Sequence, residues 1–109
     1  TDLTSYEACM VELHGLIETV ARHCGRRDLA AKTVTLKLRY ADFRTVTRSR
    51  TLGTSINEAN AIRETIALLL KGLMPLPQGV RLLGVTLSGL TDSRTAAQGP
   101  QSSLFDTAL

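Results

Sequence analysis

Between Lys32 and Arg50 the chain carries six cationic side chains, Lys32, Lys37, Arg39, Arg44, Arg48 and Arg50, against one carboxylate, Asp42, a local charge of +5. Short hydroxyls alternate with them at Thr33, Thr35, Thr45, Thr47, Ser49 and Thr51. Guanidinium and ammonium groups bring charge to phosphate oxygens, and hydroxyls and strand amides donate to the same oxygens at close range. The mixture suits the backbone of a nucleic acid. The plainer alternative is that strands turn long charged side chains toward water. Residues 1–31 have the opposite sign, with five acids against Arg22, Arg26 and Arg27, a net −2. Charge is thus segregated along a chain whose overall net charge is +3.

A second chemistry lies near the C-terminus, where Gln101-Ser102-Ser103-Leu104-Phe105 has the form of a linear docking motif. Leu104 and Phe105 are adjacent large apolar groups that need a pocket, and the Gln101 amide can bond the rim of that pocket. The alternative is a terminus that folds back onto its own domain.

Other chemistries lack their residues. Two-metal phosphoryl transfer needs clustered carboxylates, yet Asp42 stands alone near a turn and the remaining acids are scattered, so neither a catalytic nor a metal site is expected. His14 and His23 have no Ser or Cys neighbour in a nucleophile arrangement. Cys9 and Cys24 fall in one expected helix, about 22 Å apart at the helical rise, and read as buried thiols rather than a disulfide. The longest apolar run, Ile66 to Leu70, is far too short to cross a bilayer.

These groups must be positioned by regular elements. Thr4 with Glu7 reads as a capping box opening a helix, in which Tyr6, Met10, Leu13, Ile17 and Val20 recur at helical spacing up to Gly25. Thr33 to Tyr40 alternates strictly, with Val34, Leu36, Leu38 and Tyr40 toward a core and Thr33, Thr35, Lys37 and Arg39 on the other face. Thr45 to Leu52 is a second strand of ambiguous facing: Val46 and Leu52 share parity with Arg48 and Arg50, which requires either a bulge or an edge wet on both sides. Ser55 with Glu58 reads as a second capping box, before a helix through Ile62, Ile66 and Leu69 to about Gly72. Pro75 and Pro77 break the chain, and Val80 to Leu90 supplies a third strand. Helices and strands with one apolar face each are satisfied as an α+β domain, both helices packed on one face of an antiparallel sheet. The open face then carries the basic residues. Residues 1–91 form this domain, 92–100 a flexible tether of about 40 Å at full stretch, and 101–109 the docking tail.

Three segments, Lys32 to Phe43, Thr45 to Leu52 and Val80 to Leu90, closely resemble the little-finger domain of bacterial Y-family DNA polymerases of the polymerase IV type. The pentapeptide 101–105 resembles the motif by which such polymerases dock on the sliding β clamp. The resemblance implies a βαββαβ fold of which this chain lacks the first strand, leaving the edge of the third strand bare and open to self-association. It implies DNA contacts at Arg48, Arg50 and Arg81, to which the alternation adds Lys37 and Arg39, and clamp contacts at Gln101, Leu104 and Phe105. It implies a parent that is a magnesium-dependent, cytoplasmic, nucleoid-associated DNA polymerase acting in lesion bypass, with this piece inactive by itself and holding no cofactor. Two other readings stand beside it: a protein-interaction module of a catalytically inactive polymerase-like subunit, and an independent RNA-binding α+β module. The assignment of Tyr40 to the core removes a stacking aromatic that the RNA module would use.

Overall fold

The structure, a computed structural model, describes residues 2–92 and the backbone of 101–108; the tether expected at 92–100 lies, beyond Asp92, outside the described residues. The elements are α1 (Tyr6–Arg26), β1 (Leu29–Tyr40), β2 (Thr45–Ile56), α2 (Ala59–Lys71), β3 (Val80–Asp92) and β4 (Gln101–Ala108). Every pairing is antiparallel, in the sheet order β2-β1-β3-β4.

Helix α1 opens one residue later than the Thr4 capping box implied. Ser5 holds the extended backbone of an N-cap, and its Oγ accepts the N–H of Ala8 at 3.1 Å. The second expected box does not form, because β2 runs on to Ile56 and takes Ser55 with it. Glu58 is then the N-cap of α2, with no side-chain capping bond. Ile56 pairs with Ala31 and packs on the core, and Asn57 Nδ2 donates to Leu29 O at 3.2 Å. Tertiary pairing of an apolar residue therefore outweighs a local capping signal.

Both helices lie on one sheet face. Leu13, Ile17 and Val20 of α1 and Ile62, Ile66 and Leu70 of α2 close over Val34, Leu36, Leu38 and Tyr40 of β1 and Val80, Leu83, Val85 and Leu87 of β3. Each of the fully buried Leu or Ile side chains stabilises the fold by roughly 1.5–3 kcal/mol. Cys9 and Cys24 are free and buried in this layer, where burial pushes both thiols up. Gly89 interrupts β3 with φ +64, at the point where the pairing with β4 shifts register between Ser88 and Leu90.

The bare edge expected on β3 is covered. Leu3 and Val80 exchange backbone bonds of 2.9 and 2.7 Å, and β4 pairs with β3 from Gly84 to Leu90. The segment read as a docking tail thus adds a fourth strand, and the two edge strands of the sheet are β2 and β4. Among the described residues no helix is long and apolar enough to cross a membrane.

Candidate nucleic-acid interface

The open face of the sheet is built by register. Thr33, Thr35, Lys37 and Arg39 of β1 stand opposite Thr51, Ser49, Thr47 and Thr45 of β2, and opposite Ser88, Thr86, Gly84 and Leu82 of β3. Residues directly opposite in antiparallel strands share a face, so this surface is a lattice of hydroxyls with two cations in it. Thr33 and Thr51 bond through their hydroxyls at 3.0 Å, Thr35 and Ser49 at 2.7 Å, and Arg39 Nε donates to Thr45 Oγ1 at 3.4 Å.

Arg48 and Arg50 are not on that face. They stand opposite Leu36 and Val34, core residues of β1, and so belong to the helix side of the sheet. A single basic face carrying all of these cations is therefore corrected. The reason is that β2 keeps strict alternation through residues 45–51 and lies at the edge, where the helices leave both of its sides wet; Thr47 through Thr51 are all exposed. The cations divide into two rows, Lys37 and Arg39 on one side of the β2 edge and Arg48 and Arg50 on the other. Among the described residues none of these four has a carboxylate partner within 4 Å.

Between the two rows runs the outer margin of β2. Tyr40 N–H donates to Arg44 O at 2.9 Å, so the alternation of antiparallel pairs makes 38/46, 36/48 and 34/50 the hydrogen-bonded ones. The N–H and C=O groups of Thr47 and Ser49 consequently point away from β1. Arg48 Nη1 fits this geometry, donating to the outward carbonyl of Thr47 at 2.9 Å.

At one end of the face a braced turn joins β1 to β2. Asp42 accepts the Arg44 N–H at 3.0 Å and Arg44 Nε at 2.9 Å, while its own N–H donates to Gln78 Oε1 at 3.0 Å. The Arg44 backbone bond above all holds the Asp42 carboxyl below its ordinary value. Arg81 is the extra residue of a bulge, since Arg39 pairs with Leu82 and Tyr40 with Val80. That bulge turns its guanidinium out to Asp2 Oδ1 at 3.4 Å and over the ring of Phe43, 5.1 Å from the centroid. Gly79 permits the approach of Asp2, because a Cβ there would meet Asp2 Cβ at 2.7 Å.

Sequence reasoning missed Phe43, an exposed aromatic, and Asp2, the partner of Arg81. The Asp-Phe pair between two strands marked the turn, but nothing local told that the ring points outward. Tyr40, by contrast, is 3% exposed in the core. Gln101, Leu104 and Phe105 fall in β4, Phe105 in register with Leu87 and Leu104 with Ser88. On the helix side a groove of about 350 Å³ is lined by Met10, Val11, His14 and Arg63, and Arg63 is held by Asn60 and Glu18 and lies 3.2 Å from His14 Nδ1. Among the described residues no three His, Cys, Asp or Glu side chains come together. The magnesium implied for a parent polymerase therefore finds no fitting donor set among the described residues, and no step of phosphoryl transfer is assigned to them.

The model of the impB/mucB/samB family C-terminal domain matches residues 1–104. The chain is 41% identical over 108 residues to DNA polymerase IV 2 of Agrobacterium fabrum, covering 99% of this chain and 30% of that protein. It is 46% identical over 88 residues to DNA polymerase IV of Gluconobacter oxydans, covering 81% of this chain and 25% of that one. The chain thus spans less than a third of the curated relatives it matches. Among solved structures, a complex of a beta-clamp processivity factor and the little finger domain of PolIV matches with a TM-score of 0.62 at 20% identity, over 77% of this chain and 75% of that one. At that identity the likeness speaks for the fold, which is the one assembled above.

Proposed function

Since the chain belongs to the impB/mucB/samB family C-terminal domain, we propose that it is the DNA-gripping and clamp-docking part of a Y-family translesion DNA polymerase. It holds the duplex of primer and template by its phosphates. The observation that carries this reading is the set of cations without a carboxylate partner among the described residues, Lys37 and Arg39 on one side of the β2 margin and Arg48 and Arg50 on the other, with outward strand amides between them. Such donors fit phosphate oxygens and carry no base-specific pattern. Arg81 joins at the end of the face, its charge shared with Asp2. A grip that ignores base identity keeps hold of a template whose bases are damaged, which is what synthesis across lesions in DNA repair demands. Catalysis would belong to a carboxylate-bearing part of the longer polymerase, with magnesium as its metal.

The test is fluorescence anisotropy of this chain with labelled primer–template duplexes of unrelated sequence, at low and moderate salt. Equal affinities across sequences, falling steeply with salt, are the expected result. A strong preference for one sequence, or indifference to salt, overturns the phosphate grip.

Docking through Gln101, Leu104 and Phe105 on a sliding β clamp is the second half of the proposal, supported by the motif and by the named partner of the structural relative. Changing Leu104→Ala together with Phe105→Ala is expected to weaken clamp binding at least tenfold, as loss of paired apolar anchors does, roughly 1.4 kcal/mol or more. An unaltered clamp affinity in surface plasmon resonance removes the docking role.

A further inference from the structure

Phe43 stands at the tip of the β1–β2 turn, 65% exposed, with a backbone φ of +68. A bulky residue seldom occupies that conformation, and here several bonds impose it. Phe43 N–H donates to Tyr40 O and Ala41 N–H to Gly79 O, both at 2.9 Å, while Asp42 ties Arg44 to Gln78 of the loop that leads into β3. The ring is therefore held outward by a rigid turn rather than left there by a loose one. Its surroundings hold two arginines, Arg81 and Arg44, each paired with a carboxylate, Asp2 and Asp42. The Arg81 guanidinium lies 5.1 Å from its centroid, and Arg44 sits beside the neighbouring Tyr40 ring at 5.5 Å. Arg39, bonded to Thr45 at the base of the turn, begins the cation row of the open face.

An apolar protein partner would bury such a ring within a patch of other apolar groups. A ring exposed to solvent beside the Arg81 guanidinium, close to the cation row that Arg39 begins, instead fits a ligand that has both a π face and a negative charge. We propose that Phe43 stacks an unpaired nucleobase, of a single-stranded extension whose phosphates continue onto Arg39 and Lys37. This rests on the phosphate grip proposed above and adds a contact that the duplex alone would not use. Base–aromatic stacking tolerates any base, so the site would favour unpaired nucleotides without reading their sequence.

The experiment compares a blunt duplex with a duplex of equal phosphate number that ends in a short single-stranded extension, for the wild-type chain and for Phe43→Leu and Phe43→Trp. Stacking of one base predicts that the wild type prefers the extended duplex roughly 5- to 100-fold. Phe43→Leu, which keeps apolar bulk, is expected to lose that preference while binding the blunt duplex as before. The chain contains no Trp, so Phe43→Trp introduces a single reporter whose fluorescence is expected to be quenched by the extended duplex only. Binding of both duplexes with no preference and no quenching overturns the stacking site and leaves the phosphate grip standing. Absence of binding to either duplex overturns both.

Discussion

The division of the cations across the β2 edge can be measured through counterion release. Each phosphate neutralised on duplex DNA contributes about 0.9 to the slope of log affinity against log salt. Lys37, Arg39, Arg48 and Arg50 lack carboxylate partners among the described residues, so four contacts set a slope near −3.6 and an affinity loss of roughly a hundredfold between about 50 and 200 mM salt. Arg81, already beside Asp2 at 3.4 Å, adds less than a full unit. If the duplex straddles the margin of β2, Lys37→Ala with Arg39→Ala and Arg48→Ala with Arg50→Ala each lower the slope by about 1.8. If it lies on the open face alone, only the first pair matters. Anisotropy titrations at four or five salt concentrations separate the cases. An unchanged slope for the Arg48/Arg50 pair refutes the straddling geometry, since these side chains share the helix side of the sheet with Leu36 and Val34. An Arg81→Ala slope change as large as that of Lys37→Ala would show that Asp2 does not hold the guanidinium.

Gly89→Ala forces a Cβ into a residue with φ +64 and sets it 3.4 Å from Lys32 Cβ; the left-handed strain costs about 1–2 kcal/mol. That lowers the melting temperature by roughly 5–10 °C for a domain of this size, and unchanged thermal unfolding by circular dichroism contradicts it. Asp42 has its folded carboxyl held below the ordinary value, so the stability it lends is fully present above that value and is lost as pH falls through the lowered one. Asp42→Asn should abolish this acid-dependent step, and the wild-type carboxyl, followed by NMR, should titrate below the ordinary carboxylate value; a midpoint at or above that value denies the bonds to Arg44. Gly79→Ala should displace Asp2, since its Cβ would fall 2.7 Å from that of Asp2, with overpacking of about 1–3 kcal/mol; full retention of stability in urea unfolding would argue against the contact.

Strict alternation made β1 legible from sequence, because a strand covered by helices on one face must bury every second residue. Val34, Leu36, Leu38 and Tyr40 are all buried as the period demands. In β2 the period carried less information, since an edge strand wet on both sides exposes either parity. The two alternatives for Arg48 and Arg50 could be separated only by the register with β1, which depends on residues far away in the chain. The same holds for Arg81, whose bulge exists only relative to β1. Helix starts shifted from the local capping signals, by one residue to Ser5, and past Ser55 through the pairing of Ile56 with Ala31. The terminal segment read as a motif because the adjacent Leu104 and Phe105 call for a pocket, and backbone pairing with β3, which needs no particular side chains, was invisible to that reading.

The outer margin of β2 has a colloidal consequence as well. An exposed strand with unused amides invites another copy of the same protein to add on, edge to edge, and such addition is the first step of fibrous aggregation. Two like-charged arginines projecting beside that margin make the approach of an identical margin electrostatically unfavourable, while leaving it attractive to an anion. Removing these charges would then trade solubility for nothing in the fold, and concentrated stocks of the neutralised protein would precipitate first at high ionic strength, where the remaining repulsion is screened.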